Sequence, residues 1–167
     1  VKDMGETFHS KHGAIQESIH VYIKNGIQLV NKETIHVLEY GFGTGLNALL
    51  TLEFGLKNNK KIIYEGIEAY PLNFDEFNLL NYDEYIKTPV PLQKLHEISV
   101  DKNELVTEHF SLLKHFCKIE DFTTEKKFDV VYFDVFGYDY QSELWSEEIL
   151  KKAYHFLNIG GIFVTYA

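Results

Sequence analysis

The order of elements along the chain predicts a doubly wound α/β domain, a parallel sheet covered by helices on both faces. Three observations carry this. Short strand-like runs alternate with helical stretches. Those runs are apolar throughout, as in sheets buried on both faces. A turn holding Gly41, Gly43 and Gly45 follows the first run directly.

Each element has its local reason. Residues 14–27 place Ile15, Ile19, Tyr22 and Ile23 at helical intervals and stop at Asn25-Gly26. Residues 35–39 read as the first strand, 41–45 as the turn and 46–54 as a helix. Residues 62–67 form the second strand, and Pro71 suits a first helical position. Pro89 and Pro91 break residues 81–105 into short helices and loops. Residues 110–116 read as a third strand, FDVVYF (128–133) as a fourth, 144–157 as an amphipathic helix and 161–166 as the last strand. The whole chain, 1–167, is expected to be one domain. An N-terminal segment (1–30) precedes a core (35–167) that lacks its C-terminal strands, since the last run reads as a central strand.

Composition removes several classes. At 167 residues with 45% hydrophobic content the chain is long enough for one packed core. No apolar run reaches the roughly 18 residues that span a bilayer, and no signal peptide is expected. A single cysteine, Cys117, excludes an internal disulfide and suits the cytoplasm. The formal charge is −9, and all sixteen basic residues are lysines, which argues against a broad phosphate-binding surface. Eight histidines lack metal-ligand spacing, so no metal site is expected.

The stretch LEYGFGTGLN (38–47) admits two readings. Gly43-x-Gly45-x-x-Ala48 satisfies a dinucleotide fingerprint, with Glu68 as the ribose acid. The longer string Glu39-x-Gly41-x-Gly43-x-Gly45 suits S-adenosylmethionine instead. A carboxylate at the mouth of the turn would repel a pyrophosphate, whereas the methionine ammonium is a cation for Glu39 to meet. The glycines let the backbone pass close to a cofactor, so a side chain at Gly43 is expected to harm binding more than folding. Glu68 can accept both ribose hydroxyls.

A second group lies in FDVVYFDVFGYDYQSELW (128–145). Asp134 ends a strand on the same sheet edge as the glycine turn. Phe136, Tyr138 and Trp145 follow it and could clamp a planar base. A methyltransferase places its acceptor at such an edge.

Three blocks give the chain a family resemblance: TFHSKHGAIQESIHVYI (7–23), LEYGFGTGLNALL (38–50) and the stretch from 128 to 167. It resembles the MnmC-like (MnmD) tRNA methyltransferases that complete 5-methylaminomethyl-2-thiouridine at the wobble position. The resemblance implies a class I methyltransferase fold, Rossmann-like, with S-adenosylmethionine as donor and tRNA as partner. It places Glu39, Gly41, Gly43, Gly45 and Asn47 on the cofactor loop, Glu68 on the ribose, and Ser10 and Glu17 in a covering helix. Asp134 matches the acid beside the transferred methyl, with Phe136, Tyr138 and Trp145 around the base. One departure stands out: where the family commonly has an aspartate beside adenine, this chain has Lys118, next to Cys117. No fused flavin-dependent oxidase domain is expected in this chain. The alternatives are a small-molecule or protein N-methyltransferase, a dinucleotide oxidoreductase, or a cofactor-binding module without catalysis.

Overall fold

The computed structural model describes residues 6–166, with side chains from His12 onward. Helix α1 (Glu6–Ser18) passes without a break into a π-helical turn (Ile19–Lys24) that Asn25 closes. Strand β1 (Thr34–Tyr40), helix α2 (Leu46–Lys57) and strand β2 (Lys61–Glu68) follow. Short helices α3 (Phe74–Phe77) and α4 (Leu92–Glu97) lead to β3 (Glu104–Thr107) and β4 (Phe110–Phe116). The chain ends through β5 (Phe128–Phe133), α5 (Glu147–His155) and β6 (Leu157–Thr165).

The six strands lie in the order β3-β4-β2-β1-β5-β6. All neighbours pair in parallel except β3 and β4, which are antiparallel. The order reverses at β1, whose neighbours β2 and β5 carry the sheet in opposite directions. That reversal opens a crevice at the carboxyl ends of the strands. Side chains of β1 divide between the faces as strand geometry requires. Ile35 and Val37 join a core with Leu49, Leu52 and Tyr22, while Leu38 and Tyr40 join Phe128, Phe133 and Ala153 on the other side. No helix among the described residues is long and apolar enough to cross a membrane.

Four local expectations change. Pro71 does not start a helix, because Asn73 caps α3 through a reciprocal bond pair with Glu76. The sheet gains β3, an antiparallel edge strand too short and polar to stand out in the sequence. The expected helix 144–157 divides, since Ser146 caps α5 after a separate 3-10 turn, Ser142–Trp145. The last strand begins at Leu157, with Gly160 at φ +76 where its register against β5 shifts.

Candidate functional site

A cavity of about 610 Å³ opens over the carboxyl ends of the strands. Its wall includes the turn after β1 (Gly41 to Thr44, with Leu46 and Asn47), Glu68 to Tyr70 after β2, and Lys118 to Glu120 after β4. Asp134 to Phe136 after β5 and Tyr166 after β6 close one side, and Ala14, Glu17, Ser18 and Tyr22 cover another. Among the described residues five carboxylates line it, from Glu17, Glu68, Glu120, Asp134 and Glu143, against one lysine, Lys118.

The three glycines of the turn all have positive φ, yet for different reasons. At Gly41 (φ +85) a Cβ would stand 2.5 Å from the Asp134 carbonyl oxygen, so the ends of β1 and β5 could not approach. At Gly45 (φ +75) a Cβ would crowd Leu92, His96 and Phe42. His96 braces that side, its Nε2–H donating to the Thr44 carbonyl at 2.9 Å. Burial holds the His96 pKa down, against the raising effect of this bond. Gly43 (φ +50) alone faces open space, with nothing closer than the Gly41 carbonyl at 3.9 Å.

The acids form a linked set. Glu39 is fully buried, and its two oxygens accept from Asn47 Nδ2 (2.9 Å) and the Tyr64 hydroxyl (2.7 Å). Burial, then the nearby Asp134 charge, raise its pKa well above the usual range. The second Asn47 N–H donates to Asp134 Oδ2 at 2.8 Å, and the Tyr22 hydroxyl donates to Oδ1 at 2.7 Å. Burial raises the Asp134 pKa, and these two bonds offset only part of the shift. Among the described residues Asn47 Oδ1 is buried with no hydrogen-bond partner, an acceptor on the cavity wall left open. Glu68 accepts from the Gly43 N–H (2.8 Å) and the Tyr70 N–H (2.8 Å), which fix its carboxylate at the rim.

The cavity thus gathers Glu17, Gly41, Gly43, Asn47, Glu68, Lys118, Asp134 and Phe136 from the sequence-based set. Others stand off the wall. Glu39 lies behind Asn47, because Tyr64 and Asn47 take both its oxygens. Gly45 faces α4. Cys117 packs into the core on the α5 side of the sheet. Trp145 packs its ring edge-on to Phe133 and donates its indole N–H to the Phe136 carbonyl, so it supports the loop. Tyr138 is 65% exposed on that loop, outside the wall. The Ser10 side chain lies outside the described residues. Sequence reasoning missed the role of Tyr22, whose partner lies 112 residues away, and no local pattern signals such a pair.

A family model described as S-adenosyl-L-methionine-dependent methyltransferase matches residues 75–167. The tRNA 5-methylaminomethyl-2-thiouridine biosynthesis bifunctional protein MnmC of Campylobacter fetus subsp. fetus is 30% identical over 135 residues, covering 74% of this chain and 21% of that protein. Its counterpart in Legionella pneumophila is 30% identical over 120 residues, covering 65% and 16%. The chain therefore spans about a fifth or less of these relatives. The crystal structure of MNMC2 from Aquifex aeolicus superposes with a TM-score of 0.67 at 22% identity, over 92% of this chain and 50% of that one, which shows the shared fold.

Proposed function

From the premise that this chain belongs to the S-adenosyl-L-methionine-dependent methyltransferases, of the MnmC-like kind, we propose that it methylates the amine of 5-aminomethyl-(2-thio)uridine at a tRNA wobble position. The observation that carries this reading is the Asp134 carboxylate, held among the described residues by two donors and no cation, in an acid-lined cavity at the sheet's switch point.

S-adenosylmethionine is the cofactor, and when bound it supplies an electrophilic methyl group on a sulfonium. The residues present fit it. Among the described residues Asn47 Oδ1 is a buried acceptor that lacks a donor, which the cofactor's ammonium would provide. Gly43 leaves its part of the wall free of side chain. Glu68, oriented by two backbone N–H groups, keeps lone pairs for the ribose hydroxyls. Lys118 and its neighbour Ile119 border the part of the cavity after β4 and would flank the cofactor's adenine. Glu39 acts at one remove, by fixing Asn47. Helix α1 serves as the cover, with Glu17 on the wall.

Asp134 accepts a hydrogen bond from the acceptor amine and aims its nitrogen lone pair. It takes up the proton released as the new N–C bond forms, directly or through water. Its raised pKa brings it closer to that task than an exposed aspartate. Phe136, Tyr138 and Tyr140 are exposed on the loop beyond it and offer faces on which a base can stack. The −9 charge favours a second reading, transfer to an amine of a small molecule or protein.

Tritiated methyl incorporation from S-adenosylmethionine into undermodified tRNA, against protein and metabolite pools, separates the two. The expected result is label in tRNA, reduced at least about a hundredfold by Asp134→Asn. Label confined to the other pools would overturn the tRNA reading. Undiminished transfer by Asp134→Asn would remove Asp134 from the chemistry.

A further inference from the structure

We propose that Tyr22 is a positioning residue: its hydroxyl fixes the Asp134 carboxyl at the cavity wall and makes that carboxyl's proton affinity depend on the N-terminal helix. The inference rests on the reading of Asp134 as the proton acceptor.

The geometry is specific. Tyr22 is 2% exposed in the π-helical turn after α1, and its ring packs on Tyr132 of β5 with centroids 5.2 Å apart. A ring held in this way delivers its hydroxyl to one place, 2.7 Å from Asp134 Oδ1. The other oxygen, Oδ2, belongs to Asn47. Each carboxylate oxygen therefore has one protein donor and free acceptor capacity for a substrate amine.

The surroundings leave Tyr22 a distinct share of the control. Glu17 faces Asp134 from α1, Glu39 from β1, Asn47 from α2 and Tyr64 from β2, while Tyr166 beyond β6 faces Tyr22. Among the described residues, no lysine or histidine makes an ion pair with Asp134. Its ionised form is therefore supported by two neutral donors, against burial and other acids. Asn47 divides its N–H groups between Glu39 and Asp134, so replacing it disturbs two acids at once. Among the described residues the Tyr22 hydroxyl bonds to Asp134 alone. Burial and the Asp134 charge keep that phenol protonated far above neutral pH, so it remains a donor throughout the working range.

The test is Tyr22→Phe, with the Asp134 carboxyl followed by ¹³C NMR titration in protein free of cofactor and tRNA. Loss of one hydrogen bond to the ionised form is expected to raise the titration midpoint by about one pH unit. In tRNA methylation, kcat is expected to fall about tenfold, with both KM values within about twofold and the acid limb of the pH profile moved upward by the same amount. A folded Tyr22→Phe with the wild-type midpoint overturns the proposal, as does a change confined to KM. If Tyr22→Phe does not fold, 3-fluorotyrosine at position 22 supplies a more acidic phenol and a stronger donor. It is expected to lower the midpoint, and an unchanged or raised midpoint overturns the proposal. The titration requires no transfer, so a failure to label tRNA would sink the proposed function while leaving this result readable.

Discussion

Strand β5 carries an acid at each end, and the two live under opposite conditions. Asp129, near the start, is 4% exposed and accepts from Lys32 Nζ (2.5 Å), the His36 N–H (3.0 Å) and Asn158 Nδ2 (2.9 Å). Burial pulls its pKa up, but those three donors outweigh burial and hold it below the usual range. Asp134, just past the other end, has two neutral donors and no cation among the described residues, and its pKa rises. The same residue type on one strand thus serves the fold where it is fully partnered. It is available for chemistry where it is not. The acid at the amino end ties three segments together, and the acid at the carboxyl end is left with capacity to spare.

The sharpest test replaces each acid by its amide. Asp129→Asn removes charge-assisted bonds to three segments and is expected to lower stability by about 3 kcal/mol. At this chain length that is a melting temperature about 6–12 °C lower. Asp134→Asn loses part of its bonding but relieves repulsion among buried acids, and is expected to melt within about 3 °C of wild type. Equal losses from the two variants in calorimetry would erase the distinction between the ends.

The pH dependence gives the comparison a sign. The depressed Asp129 contributes stability that is present above the ordinary aspartate range and is lost as pH falls through its folded pKa. The raised Asp134 does the reverse: its contribution is full below the ordinary range and is lost as pH rises through its folded pKa. Melting temperatures between pH 2 and 8 should therefore show a shallower acid limb in Asp129→Asn. In Asp134→Asn the decline on the neutral side should be the part that flattens. Identical pH profiles in both variants would contradict these assignments.

A smaller effect is expected within the cavity end itself. Gly43→Ala meets no atom of the protein, but its φ of +50 makes alanine strained by about 1–2 kcal/mol. Binding is expected to suffer more than folding, and the positive φ adds a modest cost in folding. Calorimetric titration should show S-adenosylmethionine affinity reduced at least about tenfold, roughly 1.4 kcal/mol. Wild-type affinity with a lower melting temperature would make Gly43 a structural glycine like Gly41.

Much of the architecture was legible because strand burial and helix periodicity are local signals. FDVVYF is apolar on both faces save Asp129 and became a strand buried at every position. The glycine turn, Glu68 and Asp134 were legible as a set because strand ends converge in a parallel sheet. What escaped depended on distant partners. Glu39 read as an acid at the mouth of the turn, and only the packing of Tyr64 and Asn47 around it shows that it stands behind the wall. Trp145 read as a clamp, but a single indole bond to the Phe136 carbonyl turns it into a brace. The strand β3 was missed because an edge strand needs little hydrophobicity of its own.

The contrast between Gly41 and Gly45 has a consequence for inheritance. The obstruction at Gly45 is made of side chains, Leu92, His96 and Phe42, which other codons can trim. A second change there, such as Leu92→Val, relieves part of the crowding, while the strain of a side chain at φ +75 remains. The obstruction at Gly41 is the backbone carbonyl of Asp134, which every amino acid carries. No single replacement elsewhere makes room for it. Paired changes can thus soften the cost at Gly45 down to its backbone strain, while at Gly41 the clash and the strain both persist.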